Sequence, residues 1–287
     1  MTTENKVLAC VDQSPMADDV IACAAWAAAR LDAPLELLHV IDRHPEQGSG
    51  TDHSGAIGMD AQAHLLEVLA DADRARTLAA REQGRLLLAR LRQQALVAGA
   101  PSVDVRQRYG ELGDTLAEQE AGVRLLVLGR CGESGQATQR ALGQNVERVV
   151  RTLHKPILAV TEGFNPPERV LIAYDGSAIT RRGVEMIASS PLLVGLPLVL
   201  LMSGPQSKVA PKQLAWAQSR LVSAGFEVHA QLLPGEPERV IDQAVQRLGV
   251  GLLVMGAYSH SPLRSWLMGS KTSDLLRSAK VPTLLLR

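Results

Sequence analysis

The last 36 residues of the chain, LLVMGAYSHSPLRSWLMGSKTSDLLRSAKVPTLLLR (252–287), decide the fold. They begin with a short apolar run that ends at Gly256 and finish with a second apolar run after Pro282. Short apolar runs without polar alternation are typical of strands that are buried on both faces of a sheet. A loop and a helical pattern separate the two runs, so the stretch predicts parallel strands joined by a crossover helix.

The same order of features occurs earlier in the chain. VRLLVLGRCGESGQATQRALGQNVERVVRTLHKPILAVTE (123–162) also contains an apolar run, a Gly-containing loop, a helical pattern and a final apolar run. A second pair of segments, KVLACVDQSP (6–15) and RVLIAYDGSA (169–178), places an Asp after a short strand in each copy. We therefore predict a tandem duplication, with domains at residues 1–163 and 164–287 and a linker, EGFNPPER, at 162–169.

The first copy is longer than the second. Asp12 and Gly129 are 117 positions apart, whereas Asp175 and Gly256 are 81 apart, so the first copy carries 36 extra residues. We assign them to residues 43–94, which read as a polar, Gly-rich loop followed by a long helix rich in Ala, Leu and Arg.

Each copy has the pattern of an α/β unit, and we predict two open, doubly wound, Rossmann-like parallel sheets. In such sheets, ligands bind beyond the carboxyl ends of the strands, at the point where the strand order reverses. Asp12, Asp175 and the Gly-containing loops fall at such ends. The predicted strands of the first copy are Val7–Val11, Leu35–Val40, Leu125–Leu128 and Ile157–Val160.

The amino-acid composition indicates which classes of partner and which cellular compartment to expect. Lys plus Arg and Asp plus Glu number 30 each, so no positive field attracts nucleic acid or anionic lipid, and we predict neither as a partner. No apolar segment reaches the length of a membrane span, and the N-terminus lacks the pattern of a secretory signal. Three cysteines without C-x-x-C spacing suit a reducing compartment, so we predict a cytoplasmic protein.

The segment from Gly256 to Ser270 has the features of a phosphate-binding loop. A Gly-rich turn before a helix presents free backbone N–H groups and the positive end of the helix dipole. We expect Gly256 to leave the strand with unusual dihedral angles and Gly269 to allow close approach of a ligand. Alternatively, Ser270 only caps the helix. The segment is not a P-loop, because Ser270 rather than Gly precedes Lys271.

Together with Asp175 at the end of the first strand, these residues resemble the nucleotide-binding branch of the universal stress protein family, over nearly the whole chain. The resemblance implies a five-stranded sheet in each domain and pairing of the two domains within the chain. It also implies ATP or a related adenine nucleotide in the cleft, and a stress-response role without established catalysis for most members.

The resemblance also implies a binding site in the second domain. Asp175 would lie near the ribose or a phosphate-bound Mg²⁺ ion, and residues near Ser203 would contact adenine through backbone groups. The family has Gly where this chain has Ser259, which adds a side chain to the loop. The predicted nucleotide-binding residues are Ala173, Tyr174, Asp175, Met202, Ser203, Met255, Gly256, Ser259, Gly269, Ser270 and Lys271.

The first domain departs further from the family pattern. Ten residues separate Gly132 from Gly143 in the first domain, whereas nine separate Ser259 from Gly269 in the second. Gln144-Asn145 also replaces the Gly-Ser of the family pattern. We expect this cleft to be altered or empty. Asp12 either contributes to it or caps the following helix. We interpret His39, at the end of the second strand, as a packed core residue.

Three functions remain open. The first is a stress-response regulator that binds ATP chiefly in the C-terminal domain. The second is a tandem scaffold for protein partners that binds no nucleotide, which Ser259 and Gln144 favour. The third is a slow ATPase, although no spacing of Ser, His, Cys or carboxylates identifies a catalytic residue. Edge strands such as Pro282–Leu286 invite pairing between the two halves or between chains, so a homodimer is also possible.

Overall fold

The computed structural model describes residues 5–41, 59–130, 148–149, 152–204, 208–256, 276 and 278–287. Within these residues, ten strands form one sheet in the order β3-β2-β1-β4-β5-β10-β9-β6-β7-β8. The strands are β1 Lys6–Cys10, β2 Leu35–Ile41, β3 Val103–Tyr109, β4 Val123–Gly129, β5 Ile157–Val160, β6 Val170–Ala173, β7 Leu198–Ser203, β8 Val228–Leu233, β9 Leu252–Gly256 and β10 Thr283–Leu286.

Helices cover both faces of this sheet. They are α1 Ala17–Leu31, α2 Met59–Val97, α3 Leu112–Gln119, α4 Ala178–Ser189, α5 Ala210–Ser223 and α6 Pro237–Leu248. Alternate residues of β1 enter different cores: Val7 and Ala9 pack with α1, whereas Leu8 packs with Leu116 of α3. The uninterrupted apolar runs are therefore buried on both sides, as parallel strands require.

The fold class expected from the sequence is confirmed. In each half the strands pair in parallel, and the first strand of the half lies in the middle. β1 has β2 on one side and β4 on the other, and β6 has β7 and β9. The strand order therefore reverses beside β1 and beside β6, and these are the two places where such sheets bind ligands.

The two halves join through β5 and β10, which pair antiparallel with Leu158 opposite Leu284 and Ile157 opposite Leu285. The exposed fraction of each of these four side chains is 3% or less. The edge strands of the two halves thus pair with each other within the chain, and their backbone groups and apolar side chains are covered together.

Side chains of the first half hold the linker and the second half in place. The Asp19 carboxylate accepts the N–H groups of Gly163 at 3.1 Å and Phe164 at 2.9 Å. The Phe164 ring lies 6.1 Å from that of Trp26 on α1. Arg30, also on α1, donates to the carbonyl groups of Leu192 and Val194. The linker therefore packs against α1.

Helix α2 occupies the place of the predicted long helix, and residues 42–58, which include most of the predicted Gly-rich loop, lie outside the described residues.

Burial of Cys10, together with the charge of Asp12, raises the pKa of its thiol to about 12. Burial also raises the pKa of Cys23. None of the helices in the described part of the chain combines the length and the hydropathy of a membrane span.

Glu120 fixes the chain that leads into β5. Its Oε1 atom accepts the backbone N–H groups of His154 and Lys155, the latter at 3.0 Å. Partial burial opposes ionisation, but these N–H groups and the His154 ring outweigh it and lower the pKa of Glu120. The ionised carboxylate therefore contributes to stability.

We predict that Glu120→Gln lowers the free energy of unfolding by about 1 kcal/mol at pH 7. Because the folded-state pKa of Glu120 is lowered, its contribution is complete above the ordinary Glu pKa and is lost as the pH falls below it. Urea titrations of both proteins at pH 7, 5 and 4 measure this. A difference that stays constant down to pH 4 would contradict the prediction, and the exposed Glu118→Gln serves as the control.

Candidate functional site

The candidate site lies where the carboxyl ends of β6, β7 and β9 meet. Ala173, the last residue of β6, pairs with Leu201 of β7 and with Met255 of β9. The sheet thereby brings seven of the predicted residues to one edge. They are Ala173, Tyr174, Asp175, Met202, Ser203, Met255 and Gly256. The other four predicted residues, Ser259, Gly269, Ser270 and Lys271, lie outside the described residues.

Asp175 organises the turn between β6 and α4. Its Oδ1 atom accepts the Ser177 N–H at 2.9 Å and the Thr180 hydroxyl at 2.7 Å. Ser177 is the N-cap of α4, and its hydroxyl accepts the Thr180 N–H at 3.4 Å. Asp175 is exposed, and within the described part of the chain both of its hydrogen bonds use Oδ1. The Oδ2 atom therefore remains able to bind a ligand.

Gly176 makes this turn possible. Its φ angle is +75°, a left-handed conformation that residues with a Cβ rarely adopt. A Cβ at this position would also lie 2.5 Å from Oε1 of Gln213 on α5. The second half therefore needs Gly here for the backbone conformation, whereas the Gln213 amide lies at the end of a flexible side chain that can move.

Gly256 has a different role from the one expected. The sequence suggests unusual dihedral angles, but Gly256 has no positive φ angle. A Cβ at position 256 would instead lie 3.1 Å from Cγ2 of Ile179 and 3.2 Å from Cγ2 of Thr180. Gly256 thus lets β9 approach the first turn of α4. Because Thr180 also binds Asp175, this contact joins β9 to the Asp175 turn.

Ser203 offers backbone groups to the cleft. The Tyr174 N–H donates to the Leu201 carbonyl at 2.9 Å, so the polar groups of Leu201 face β6. Backbone groups alternate in direction along a strand, so those of Ser203 point to the same side as those of Leu201. Because β6 ends at Ala173, opposite Leu201, Ser203 lies beyond the end of β6. The N–H and C=O of Ser203 therefore point into the cleft.

Tyr174 lies beneath this edge, packed in the apolar core with Met202. Its hydroxyl is buried and has no hydrogen-bond partner among the described residues. Burial raises the pKa of Tyr174; the positive charge of Arg181 opposes this shift, and the negative charge of Asp175 adds to it. The phenol is thus a neutral polar group next to the site.

The first half repeats the Asp turn with different surroundings. Oδ1 of Asp12 accepts the Ser14 N–H at 3.1 Å, as Asp175 does with Ser177. Helix α1 begins at Ala17 with Met16 in the N-cap position, so the interpretation of Asp12 as the helix cap is wrong. His39 has an exposed fraction of 6%, and its Nδ1 lies 3.0 Å from the Val11 carbonyl oxygen, which agrees with a packed core histidine.

Sequence reasoning missed Thr180, Gly176 and Gln213. The segment DGSAIT contains a detectable signal for the first two, because Asp-Gly-Ser favours a turn in which the Asp side chain binds the backbone two residues later. Gln213 lies 37 positions after Gly176, and only the packing of α5 brings the two together.

We predict that Gly256→Ala lowers the free energy of unfolding by about 1–3 kcal/mol, because the added methyl group would press against Ile179 and Thr180. Urea titration measures the change. Gly256→Ala combined with Thr180→Ser, which removes Cγ2 of Thr180 and keeps its hydroxyl, tests the cause. If Thr180→Ser is equally destabilising in the two backgrounds, the contact with Thr180 does not cause the loss.

Comparison with known proteins gives three findings. The sequence model of the universal stress protein family matches residues 4–161 and again 167–287. The curated universal stress protein Slr1230 from Synechocystis sp. is 33% identical over 284 residues, which cover 98% of this chain and 99% of that protein. The solved structure of a universal stress protein from Archaeoglobus fulgidus covers 99% of this chain and 98% of its own, with a TM-score of 0.72 at 18% identity.

Proposed function

The chain belongs to the universal stress protein family, and we propose that it is a stress-response regulator that binds ATP, chiefly in the cleft of the second half. The observation that carries the proposal is the convergence of Asp175, Ser203 and Gly256 at the reversal of strand order. Open α/β sheets bind nucleotides at this place.

Each part of the nucleotide has a candidate contact in the second half. The N–H and C=O of Ser203 can pair with the donor and acceptor atoms on the edge of adenine. The N-terminus of α4 can supply N–H donors for phosphate, and by its resemblance to the family the Gly269-Ser270 segment would supply others. The Oδ2 atom of Asp175 can accept a ribose hydroxyl or bind Mg²⁺. An ion bound there would take its other ligands from phosphate oxygens and water.

The first half offers a poorer cleft. Gln13 stands where the second half has Gly176, and its amide nitrogen lies 3.5 Å from Oε1 of Gln83 on α2. The turn of the first half thus extends a side chain of its own to α2, whereas in the second half the Gln213 amide of α5 packs against Gly176. The substitution of Gln144-Asn145 for Gly-Ser adds bulk to the loop. These two differences favour the second half as the working site.

Binding of ATP would act by population shift. A ligand biases an equilibrium only through its different affinity for the two states. ATP would contact strands β6, β7 and β9 together, so it would favour the conformation in which their carboxyl ends are closed around it.

We predict that Asp175→Asn weakens binding of ATP with Mg²⁺ at least about 10-fold, because the loss of a charge-assisted contact costs more than about 1.4 kcal/mol. Asp12→Asn is the matched control, since Asn can keep the same turn in both halves. We expect it to leave ATP affinity unchanged. Calorimetric titration of both variants, with and without Mg²⁺, measures the difference.

Equal loss of affinity in Asp12→Asn and Asp175→Asn would contradict the assignment to the second half. Ser270→Asp places a carboxylate beside the phosphates, and we expect it to abolish binding through repulsion. Unchanged affinity in Ser270→Asp would contradict the placement of the phosphates. Absence of binding in the unaltered protein would favour the scaffold function instead.

A further inference from the structure

A cavity lies between the two halves of the molecule, on the face of the sheet that carries α1 and α4. Its volume is about 400 Å³, and its walls come from both halves: Leu31 and Leu125 from the first, Ile187 and Leu284 from the second. Protein interiors contain few voids larger than a water molecule, so a space of this size is more than a packing irregularity. Ligand sites have volumes of about 300–1,000 Å³ and occur preferentially at domain interfaces.

The walls of this cavity are mainly apolar. Six of the side chains that line it are Leu or Ile with exposed fractions of 5% or less, and all six belong to one core cluster: Leu31, Leu125, Ile187, Leu193, Leu284 and Leu286. Cavities with walls of this kind stay dry and bind apolar molecules. An aliphatic chain placed among these side chains would be removed from water, which favours its binding.

Positively charged side chains line one side of the cavity. Arg124 lies near the start of β4, and His154 and Lys155 come just before β5, the strand paired with β4. No acidic side chain is among the described residues that line the cavity. Glu120 approaches the His154 ring at 3.5 Å from outside the lining. The cavity therefore combines apolar walls with an excess of positive charge.

Arg124 has the donors that an anionic group needs. One of its amino nitrogens donates to the Leu31 carbonyl at 3.4 Å, and it forms no ion pair with a carboxylate in the described part of the chain. A guanidinium carries five N–H donors in a planar fork that matches a carboxylate. The Ser189 and Ser190 hydroxyls also line the cavity, but they already bond to the backbone of Met186 and Leu192.

We propose that this cavity is a second ligand site, which binds a single-chain aliphatic carboxylate. The chain would lie among the six apolar side chains, and the carboxylate would pair with Arg124, with His154 and Lys155 adding to the positive field. None of the described lining residues belongs to the candidate nucleotide cleft, so binding here does not depend on ATP. Because both halves contribute walls, the bound ligand would also stabilise their contact.

The first test is calorimetric titration of the delipidated chain with decanoate below its critical micelle concentration. We expect one decanoate per chain, with a dissociation constant below about 100 μM. Decyltrimethylammonium has the same chain with a cationic head, and repulsion by Arg124 should weaken its binding at least about 10-fold. No binding at about 1 mM decanoate, or equal binding of the two amphiphiles, would overturn the proposal.

The second test changes the group that holds the carboxylate. We expect Arg124→Gln to weaken decanoate binding at least about 10-fold, because it removes a charge-assisted pair. Arg169→Gln is the matched control. Arg169 donates to the carbonyl of Leu248, the last residue of α6, as Arg124 does to that of Leu31, the last residue of α1. Arg169 does not line the cavity, so its loss should leave decanoate affinity unchanged. Unchanged affinity in Arg124→Gln, or equal losses in both variants, would overturn the proposal.

The third test changes the wall that the second half contributes. Met186 is half-buried on α4 and lines the cavity. Met186→Glu introduces a negative charge that would repel the carboxylate, whereas Met186→Gln has nearly the same shape without the charge. We expect decanoate to bind Met186→Glu at least about 10-fold more weakly than Met186→Gln. Equal affinities would show that decanoate binds elsewhere and would overturn the proposal. Circular dichroism checks the folding of each variant.

Discussion

The antiparallel pairing of β5 with β10 is the contact on which the rest of the structure depends. Each half alone would expose one of these apolar strands at the edge of its sheet. Pairing covers both strands and converts two sheets into one. Because the strands of the two halves run in opposite directions, their carboxyl ends lie on opposite edges of the joined sheet. The two clefts consequently open away from each other, and one can change without disturbing the other.

Because the two clefts are separate, the first half can differ from the second without altering the cleft of the second half. Asp12 and Asp175 make the same turn at the same place in the repeat, which shows that the local geometry is retained in both. The surroundings have diverged. Gln213 of α5 packs against Gly176, whereas Gln13 extends its own side chain toward α2. We interpret the first half as the structural partner of a working second half.

The additional length of the first half appears as α2, whose 39 residues extend well beyond the strands it packs against. From residue 67 onward, only the later part of α2 has a buried face, and its exposed face carries apolar side chains.

The sequence alone determined the tandem repeat and the α/β class, and it predicts where the site lies. These depend on local patterns: apolar runs define buried strands, and an Asp or Gly after such a run falls at a carboxyl end. Only the tertiary structure decided how β5 and β10 pair, which side chains lie close to Gly256, and that Gln213 packs against Gly176. Each of these depends on contact between segments far apart in the chain, and local periodicity carries no information about which distant surfaces meet.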